Sequence, residues 1–375
     1  MVVTLAYNNL IHDRTRLALT LIAISISIVL IGAQLGLMLG FSRMISGVLD
    51  HAKVDLWIVP AGTTAFDDPA QLNMSQQFSA LAVSGVESVS PLLVGFAEWR
   101  NPAGGTASVI VLGSDARSQI LTPWNVLSGT PSQLRQPEMV AVDKAYAHDL
   151  GFKTLGDRAS IDGKPVLVGA ITSGIRSFTT SPYVFTDLIQ ARKYLGIPSS
   201  RTTYLAVKLS SGTDASSIRD RIAARIDHAE VLTTAEFRTR NIKRWMLSTG
   251  AGALLMSGII LALSVGSFIV AQTLYASINE HLKEFATLRA LGSSKDFLRR
   301  VVFCQAGLSA IFAAGLAAMG IAGLVIVTAD TALPIVLTPV LAAILLALSI
   351  GMSVAAALMT VAKVTRIEPA SVFSR

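Results

Sequence analysis

From Leu17 to Ser42 the chain reads "LALTLIAISISIVLIGAQLGLMLGFS", 26 residues between Arg16 and Arg43 without a charge or a proline. A helix rises about 1.5 Å per residue, so about 20 apolar residues cross the hydrocarbon core of a bilayer. Three further uncharged runs follow: 35 residues between Arg244 and Glu280, 29 between Arg300 and Asp330, and 32 between Asp330 and Lys363. Only 15% of the 375 residues are charged and 52% are hydrophobic, where soluble domains carry roughly 25% charged residues. The pattern predicts an α-helical membrane protein with four transmembrane helices over 17–42, 245–279, 301–329 and 337–362, joined by a short outer loop at 330–336. The first run exceeds the roughly 7–15 apolar residues of a signal peptide and shows no small-residue cleavage site, so it is read as a retained helix.

Short loops set orientation through their Lys and Arg. Segment 280–300 carries Lys283, Arg289, Lys295, Arg299 and Arg300, the tail 363–375 carries Lys363, Arg366 and Arg375, and the 330–336 connection carries none. The expected topology therefore puts 280–300, the entry segment 1–16 and the tail in the cytoplasm of a bacterial cell (inner) membrane. Residues 43–244 are then extracytoplasmic, inserted between helices 1 and 2. That segment holds 21 Lys/Arg against 18 Asp/Glu, so the net charge of +7 is not gathered in one patch and nucleic acid is not an expected partner. Cys304, the only cysteine, lies in the third apolar run and leaves no intrachain disulfide to staple the domain.

Within 43–244 the patterning predicts a mixed α/β domain. "VDLWIV" (54–59), "VESVSPLLVGFAEWR" (86–100), "TASVIVLG" (106–113) and "TTYLAVKL" (202–209) read as strands, the second and third flanking the turn "NPAGG". "DASSIRDRIAARI" (214–226) reads as a helix, and 137–171 as strand, short helix and two strands joined by "DGK", part of an inserted β-rich lobe over about 114–171. A helix capped at Thr233 or Thr234 meets no Pro or Gly before Gly250, which predicts an unbroken helix from the domain into the second span.

Catalytic signatures are absent. No phosphate-binding G-x-x-x-x-G-K-[ST], zinc-binding H-E-x-x-H or G-x-S-x-G elbow occurs, and the five histidines share no metal-ligand spacing. The four apolar runs lack Asp, Glu, Lys, Arg and His, the groups on which ion-driven transporters and intramembrane proteases rely. The chain is read as non-catalytic, without metal or cofactor of its own.

The charge cluster between the second and third runs has helical order. Leu282, Phe285, Leu288 and Leu291 recur every third residue, with Glu280, Lys283, Glu284 and Thr287 on the other side. Gly292 stands where a C-terminal cap belongs, and Ser293 with Asp296 fits an S-x-x-[DE] capping box opening the next helix. From physics alone, a solvated loop remains an equal reading. "NEHLKEFATLRALGSSKDFLRRVV" closely resembles the cytoplasmic coupling segment of the FtsX/MacB-type ABC permeases, matching at Glu284, Phe285, Ala286, Leu288, Arg289, Ala290, Leu291, Gly292 and Ser293. "NNLIHDRTRLALTLIAISISI" (8–28) and "VTRIEPASVF" (364–373) resemble the entry and tail of the same family, and "KVDLWIVPAG" is similar to its DevC-like and haem-exporter-like branches.

What the resemblance implies is a permease subunit, not an enzyme. It would couple hydrolysis by a separate cytoplasmic ABC ATPase, which holds ATP and Mg, to movement of the extracytoplasmic domain and export of an amphipathic or lipid-like substrate. Glu280, Glu284, Phe285, Leu288, Arg289, Leu291, Gly292 and Ser293 would form the ATPase contact. A homodimer, surrounding membrane lipids and a periplasmic adaptor (membrane fusion) protein complete the partners implied. Gly32, Gly36 and Gly40 recur every fourth residue of the first span, a spacing that serves either dimerisation or packing within the chain. The alternative reading is a membrane receptor or regulator subunit whose extracytoplasmic domain binds a ligand and controls a cell-envelope partner without transport.

Overall fold

The computed structural model describes residues 14–280 and 294–364, apart from 69, 116, 180, 330 and 332. The chain divides into two units, one of 1–40 with 253–375 and one of 41–252.

The first unit is built from apolar helices. Its members are α1 (Arg14–His51), whose first part belongs here, and three helices numbered after those of the other unit: α7 (Ala251–Glu280), α8 (Lys295–Thr328) and α9 (Pro339–Val364). Three stretches among the described residues are long and apolar enough to cross a membrane: Leu17–His51, Ala251–Thr273 and Arg299–Thr328. The fourth expected span corresponds to α9, which runs through the last uncharged stretch of the sequence. It starts late because Pro339 occupies the first helical position, with Thr338 Oγ1 accepting the Leu341 N–H at 3.2 Å.

Small residues bring these helices together. Ile24, Ile28 and Ile31 of α1 share a core with Ala306, Ala313 and Ala317 of α8 and Leu341 and Leu345 of α9. A Cβ on Gly32 would stand 2.6 Å from Ile321 Cδ1, and one on Gly36 2.7 Å from Ile335 Cγ2. Gly40 lies against the Pro334 carbonyl, and the Val336 N–H donates to the Gly36 carbonyl at 3.1 Å. All three glycines thus admit neighbours from their own chain.

The second unit is a mixed α/β domain. Its elements in order are β1 (Leu56–Pro60), β2 (Leu72–Asn73), α2 (Gln76–Leu81), β3 (Val86–Arg100), β4 (Thr106–Ser114), β5 (Val126–Gly129), β6 (Met139–Asp143), α3 (Ala147–Leu150), β7 (Arg158–Ile161), β8 (Lys164–Thr172) and β9 (Tyr183–Asp187). Then come α4 (Leu188–Leu195), β10 (Arg201–Thr202), β11 (Tyr204–Leu209), α5 (Ala215–Ala223), β12 (Ala229–Thr233) and α6 (Thr234–Ser248). Ten strands form one sheet in the order β12-β1-β11-β3-β4-β9-β6-β8-β5, and β7 pairs with both β3 and β8. That double pairing closes β3, β4, β9, β6, β8 and β7 into a ring. The strands of the segment expected to be an inserted lobe, about 114–171, are therefore hydrogen-bonded into the same sheet.

Alternation explains how one sheet supports several cores. Leu56 and Ile58 of β1 join α2 and α5 through Ala80, Ile218 and Ile222, while Trp57 and Val59 join the opposite core with Phe66, Tyr204 and Phe237. On β3 and β4, Leu93, Trp99, Val109 and Val111 meet α4 through Ala191 and Tyr194, and Leu92, Val94, Ile110 and Leu112 face the other way. The 15-residue β3 pairs β11 over its first half and β4 over its second, which is why it needs its length.

One sequence expectation fails here. The helix from the domain does not continue unbroken into the second span: α6 ends at Ser248, Gly250 adopts φ +75°, and α7 begins at Ala251. The left-handed backbone interrupts the helical hydrogen bonds, and glycine adopts it without penalty. The uninterrupted helix is α1, with 38 residues. The N-terminus of α6 does follow expectation, since Thr233 Oγ1 accepts the Glu236 N–H at 3.1 Å and Glu236 Oε2 accepts the Thr233 N–H at 2.8 Å.

The last turns of α1 are part of the domain. Val48 and Leu49 are buried in its core, and Asn241 of α6 is 1% exposed, with its Nδ2 donating to the Ile45 carbonyl at 2.8 Å and its Oδ1 accepting the Phe66 N–H at 3.1 Å. A fragment of residues 41–252 should therefore unfold cooperatively in urea. A fragment starting at Lys53, which lacks Val48, Leu49 and the Ile45 carbonyl, should lose about 3–6 kcal/mol of stability, and equal stability of the two would show that α1 is dispensable to the domain. In the full-length chain, Gly36→Ala should lower the melting temperature. Gly47→Ala, where no atom lies within 4 Å of the added Cβ, should raise stability by up to about 1 kcal/mol.

Candidate functional site

Most of the expected coupling segment lies outside the described residues. Glu284, Phe285, Leu288, Arg289, Leu291, Gly292 and Ser293 fall there, and Glu280 is the last residue of α7. The structure resumes at the start of α8, where the cap is Ser294, one residue later than expected. Its Oγ accepts the Phe297 N–H at 3.2 Å. Asp296 in the first turn lies 3.7 Å from Arg299, both exposed, so the acid favours the positive end of the helix dipole.

Between the apolar helices the described surfaces offer shape rather than chemistry. A cavity of about 260 Å³ is walled by Ile28 of α1, Ile311 and Ile321 of α8, and Leu345 and Leu346 of α9. A second, more open groove of about 510 Å³ runs between Ser267 and Ala271 of α7 and Ala347, Gly351 and Ala355 of α9. Some hydroxyls in this unit turn to backbone carbonyls: Ser25 Oγ donates to the Leu21 carbonyl at 2.6 Å and the Ala313 carbonyl at 3.0 Å, and Ser349 Oγ to the Ala310 carbonyl at 3.3 Å, whereas the buried Ser309 and Ser353 hydroxyls meet no partner among the described residues. Among the described residues no three His, Cys, Asp or Glu side chains gather as a metal site would require.

Sequence reasoning missed a second cluster, in the domain, where α1, α6 and two loops meet. Trp57, Phe66, Tyr204 and Phe237 form a knot of rings with centroids 5.5–6.3 Å apart. The Tyr204 hydroxyl donates to the Phe66 carbonyl at 2.8 Å, fixing the later part of loop 61–68. Next in that loop is Asp67, 7% exposed, whose Oδ1 accepts the Trp245 indole N–H at 3.3 Å. Burial raises its pKa above the ordinary carboxylate value, and the charge of Asp68 adds to the rise. Phe178, from the β8–β9 loop, packs its ring 4.2 Å from that of Trp245 and 5.8 Å from that of Phe41.

That loop is held from the other side as well. The Ser177 N–H donates to the Tyr146 hydroxyl at 3.0 Å, the Ile175 N–H to Asp143 Oδ2 at 2.8 Å, and Thr172 Oγ1 to the same oxygen at 3.0 Å. Tyr183 of β9 is buried beside it, and burial followed by the charge of Asp67 pushes its phenol far above the usual value. No motif marks these residues. The signal available was an "FDD" at 66–68 following a Gly-containing turn, which by itself reads as solvated acid.

Comparison with known proteins supplies the family. The family model described as MacB-like periplasmic core domain matches residues 17–225, more than half of the chain, and the model described as FtsX-like permease C-terminal matches residues 256–369. Among curated proteins none matches by sequence. Solved structures to which the chain is similar include the periplasmic region of MacB from Actinobacillus actinomycetemcomitans, at 13% identity over 55% of this chain and 99% of that one, with a TM-score of 0.39. Another is the extracellular domain of the noncanonic ABC-type transporter YknZ from Gram-positive bacteria, at 15% identity over 48% of this chain and 98% of that one, with a TM-score of 0.35. The two family models together account for both units, and the chain belongs to the FtsX/MacB-type family of ABC transporter permeases.

Proposed function

We propose that this permease subunit is driven by a separate cytoplasmic ABC ATPase, which binds ATP and Mg, and that it passes the resulting motion to residues 43–244 outside the membrane. The reading rests on one observation above others: the charged, amphipathic 279–300 segment sits between two long uncharged runs. Leu282, Phe285, Leu288 and Leu291 supply an apolar face for a groove on the ATPase, with Glu280, Glu284 and Arg289 at its rim. In this reading the chain crosses the membrane four times with both termini inside, and it works as a homodimer. It acts either as an exporter of an amphipathic or lipid-like substrate or as a mechanotransmitter, alone or with a periplasmic adaptor.

Several features support it. The apolar runs hold no ionisable residue from which an ion gradient could draw work. The grooves beside α9 are lined by aliphatic and small side chains, which suits an acyl or other apolar group. Helix α1 is continuous over residues 14–51, so a displacement of one end is carried along its length.

Two variants test the coupling. Phe285→Ala removes a large apolar anchor and should weaken ATPase co-purification by about 2–4 kcal/mol, some 30- to 1000-fold in affinity. Gly292→Val places a β-branched residue where a left-handed cap is expected, so the ATPase should stay bound while its stimulation is lost. Normal binding and stimulation in both variants would remove the segment from the mechanism. Absence of any co-purifying ATPase from the unmodified chain would favour the receptor reading.

Orientation is tested separately. In a Cys304→Ser background, Ser114→Cys should react with an impermeant maleimide on intact cells once the local structure is opened by mild denaturant, and Ser293→Cys should not. The reverse pattern would invert the topology.

A further inference from the structure

A buried carboxylate without a cation is costly, and proteins retain one where its titration has a use. Asp67 is such a group. Among the described residues no Lys or Arg forms an ion pair with it, and Arg240 of α6, which donates to the Thr63 carbonyl of the same loop at 3.2 Å, is held by Glu230 at 2.7 Å. The donors that reach Asp67 are its own backbone N–H and the Trp245 indole. The titratable groups facing it are Asp68 beside it, Tyr183 of β9 and Tyr204 of β11, and both phenols are held neutral by burial through the physiological range.

The position of Asp67 gives that proton a mechanical meaning. Trp245 is the ring on which Phe178 packs, and Phe178 also meets Phe41 of α1. The β8–β9 loop is thereby clasped to the last turns of α6 and to α1 at a point three residues before the end of α6. We propose that Asp67 is the proton-sensitive element of a latch: protonation fastens Phe178 and its loop onto Trp245 and Phe41, and deprotonation loosens them. The proposal concerns the domain alone and does not depend on the cargo or on the ATPase.

The direction follows from linkage. In the closed latch Asp67 is desolvated and next to Asp68, which raises its pKa. In an opened latch it meets water and returns toward the ordinary carboxylate value. The closed form therefore binds the proton more tightly and gains population as pH falls through the raised value, and it loses that gain as pH rises above it. Acid tightens this part of the domain, the opposite of what an ion-paired carboxylate does.

The test uses the full-length chain in lipid nanodiscs. Emission of Trp245, taken as the difference between the native chain and Trp245→Phe, is followed from about pH 4 to pH 8, together with hydrogen exchange of the 173–179 amides corrected for intrinsic rates. Emission should titrate with a midpoint above the ordinary carboxylate range, and amide protection should rise several-fold toward acid. In Asp67→Asn both pH dependences should vanish, with protection high throughout. Asp68→Asn, which keeps the latch carboxyl, should retain the titration with a lower midpoint, so the proposal stays testable should Asp67→Asn fold poorly. An unchanged titration in Asp67→Asn, an unmoved midpoint in Asp68→Asn, or pH-independent protection in the native chain would each overturn it.

Discussion

Hydrocarbon offers no hydrogen-bond partner, and the architecture of this chain follows from that. Backbone polar groups in the apolar unit must be satisfied from within, so the segments there are helices, and hydroxyls such as those of Ser25 and Ser349 bond to carbonyls. With no water to expel between helices, association depends on close van der Waals approach, which is what Gly32 and Gly36 permit against Ile321 and Ile335. The same constraint keeps ionisable groups out of the runs. The four apolar runs hold no Asp, Glu, Lys, Arg or His on which an ion gradient could act.

Outside that unit the constraint relaxes but does not disappear. The ten-stranded sheet buries both faces of β1, and β3 serves two sets of partners. Several polar groups caught in these cores are answered: Trp99 Nε1 donates to the Leu150 carbonyl at 2.9 Å, Trp57 Nε1 to Thr234 Oγ1 at 3.1 Å, and Asn241 bridges α1 and loop 61–68. Asp67 is answered sparingly for a buried carboxylate, by its own backbone N–H and one long bond from the Trp245 indole. Uneven satisfaction of a buried polar group is where a packed domain retains sensitivity to its medium.

The sequence made the strongly periodic parts legible. Uncharged runs marked the apolar helices, alternation around "NPAGG" marked β3 and β4, and "DGK" marked the β7–β8 turn, where Asp162 and Gly163 both take positive φ. What it left hidden depends on distant partners. Closure of the ring rests on Trp99 and Arg100 pairing Ile161 and Ser160, and the parallel pairing of β4 with β9 joins residues some 70 positions apart. The break at Gly250 was invisible because a glycine inside a helical pattern is compatible with either continuation or a left-handed turn. The burial of Asp67 is set by Trp245, 178 residues away, and no local pattern carries that information.

The two chain segments that leave the domain differ in backbone continuity. Helix α1 runs without interruption from Arg14 to His51. Its last turns are tied to α6 by the bond from Asn241 to the Ile45 carbonyl, inside a core where neither group can find water. That bond holds the end of α1 and α6 to each other within the domain. The chain that returns to the apolar helices passes through Gly250, whose φ of +75° ends the helical hydrogen bonding before α7 begins. An unbroken second rod would oblige α6 and α7 to move as one body. At Gly250 the left-handed backbone, which glycine adopts without penalty, leaves α6 and α7 as two separate helices.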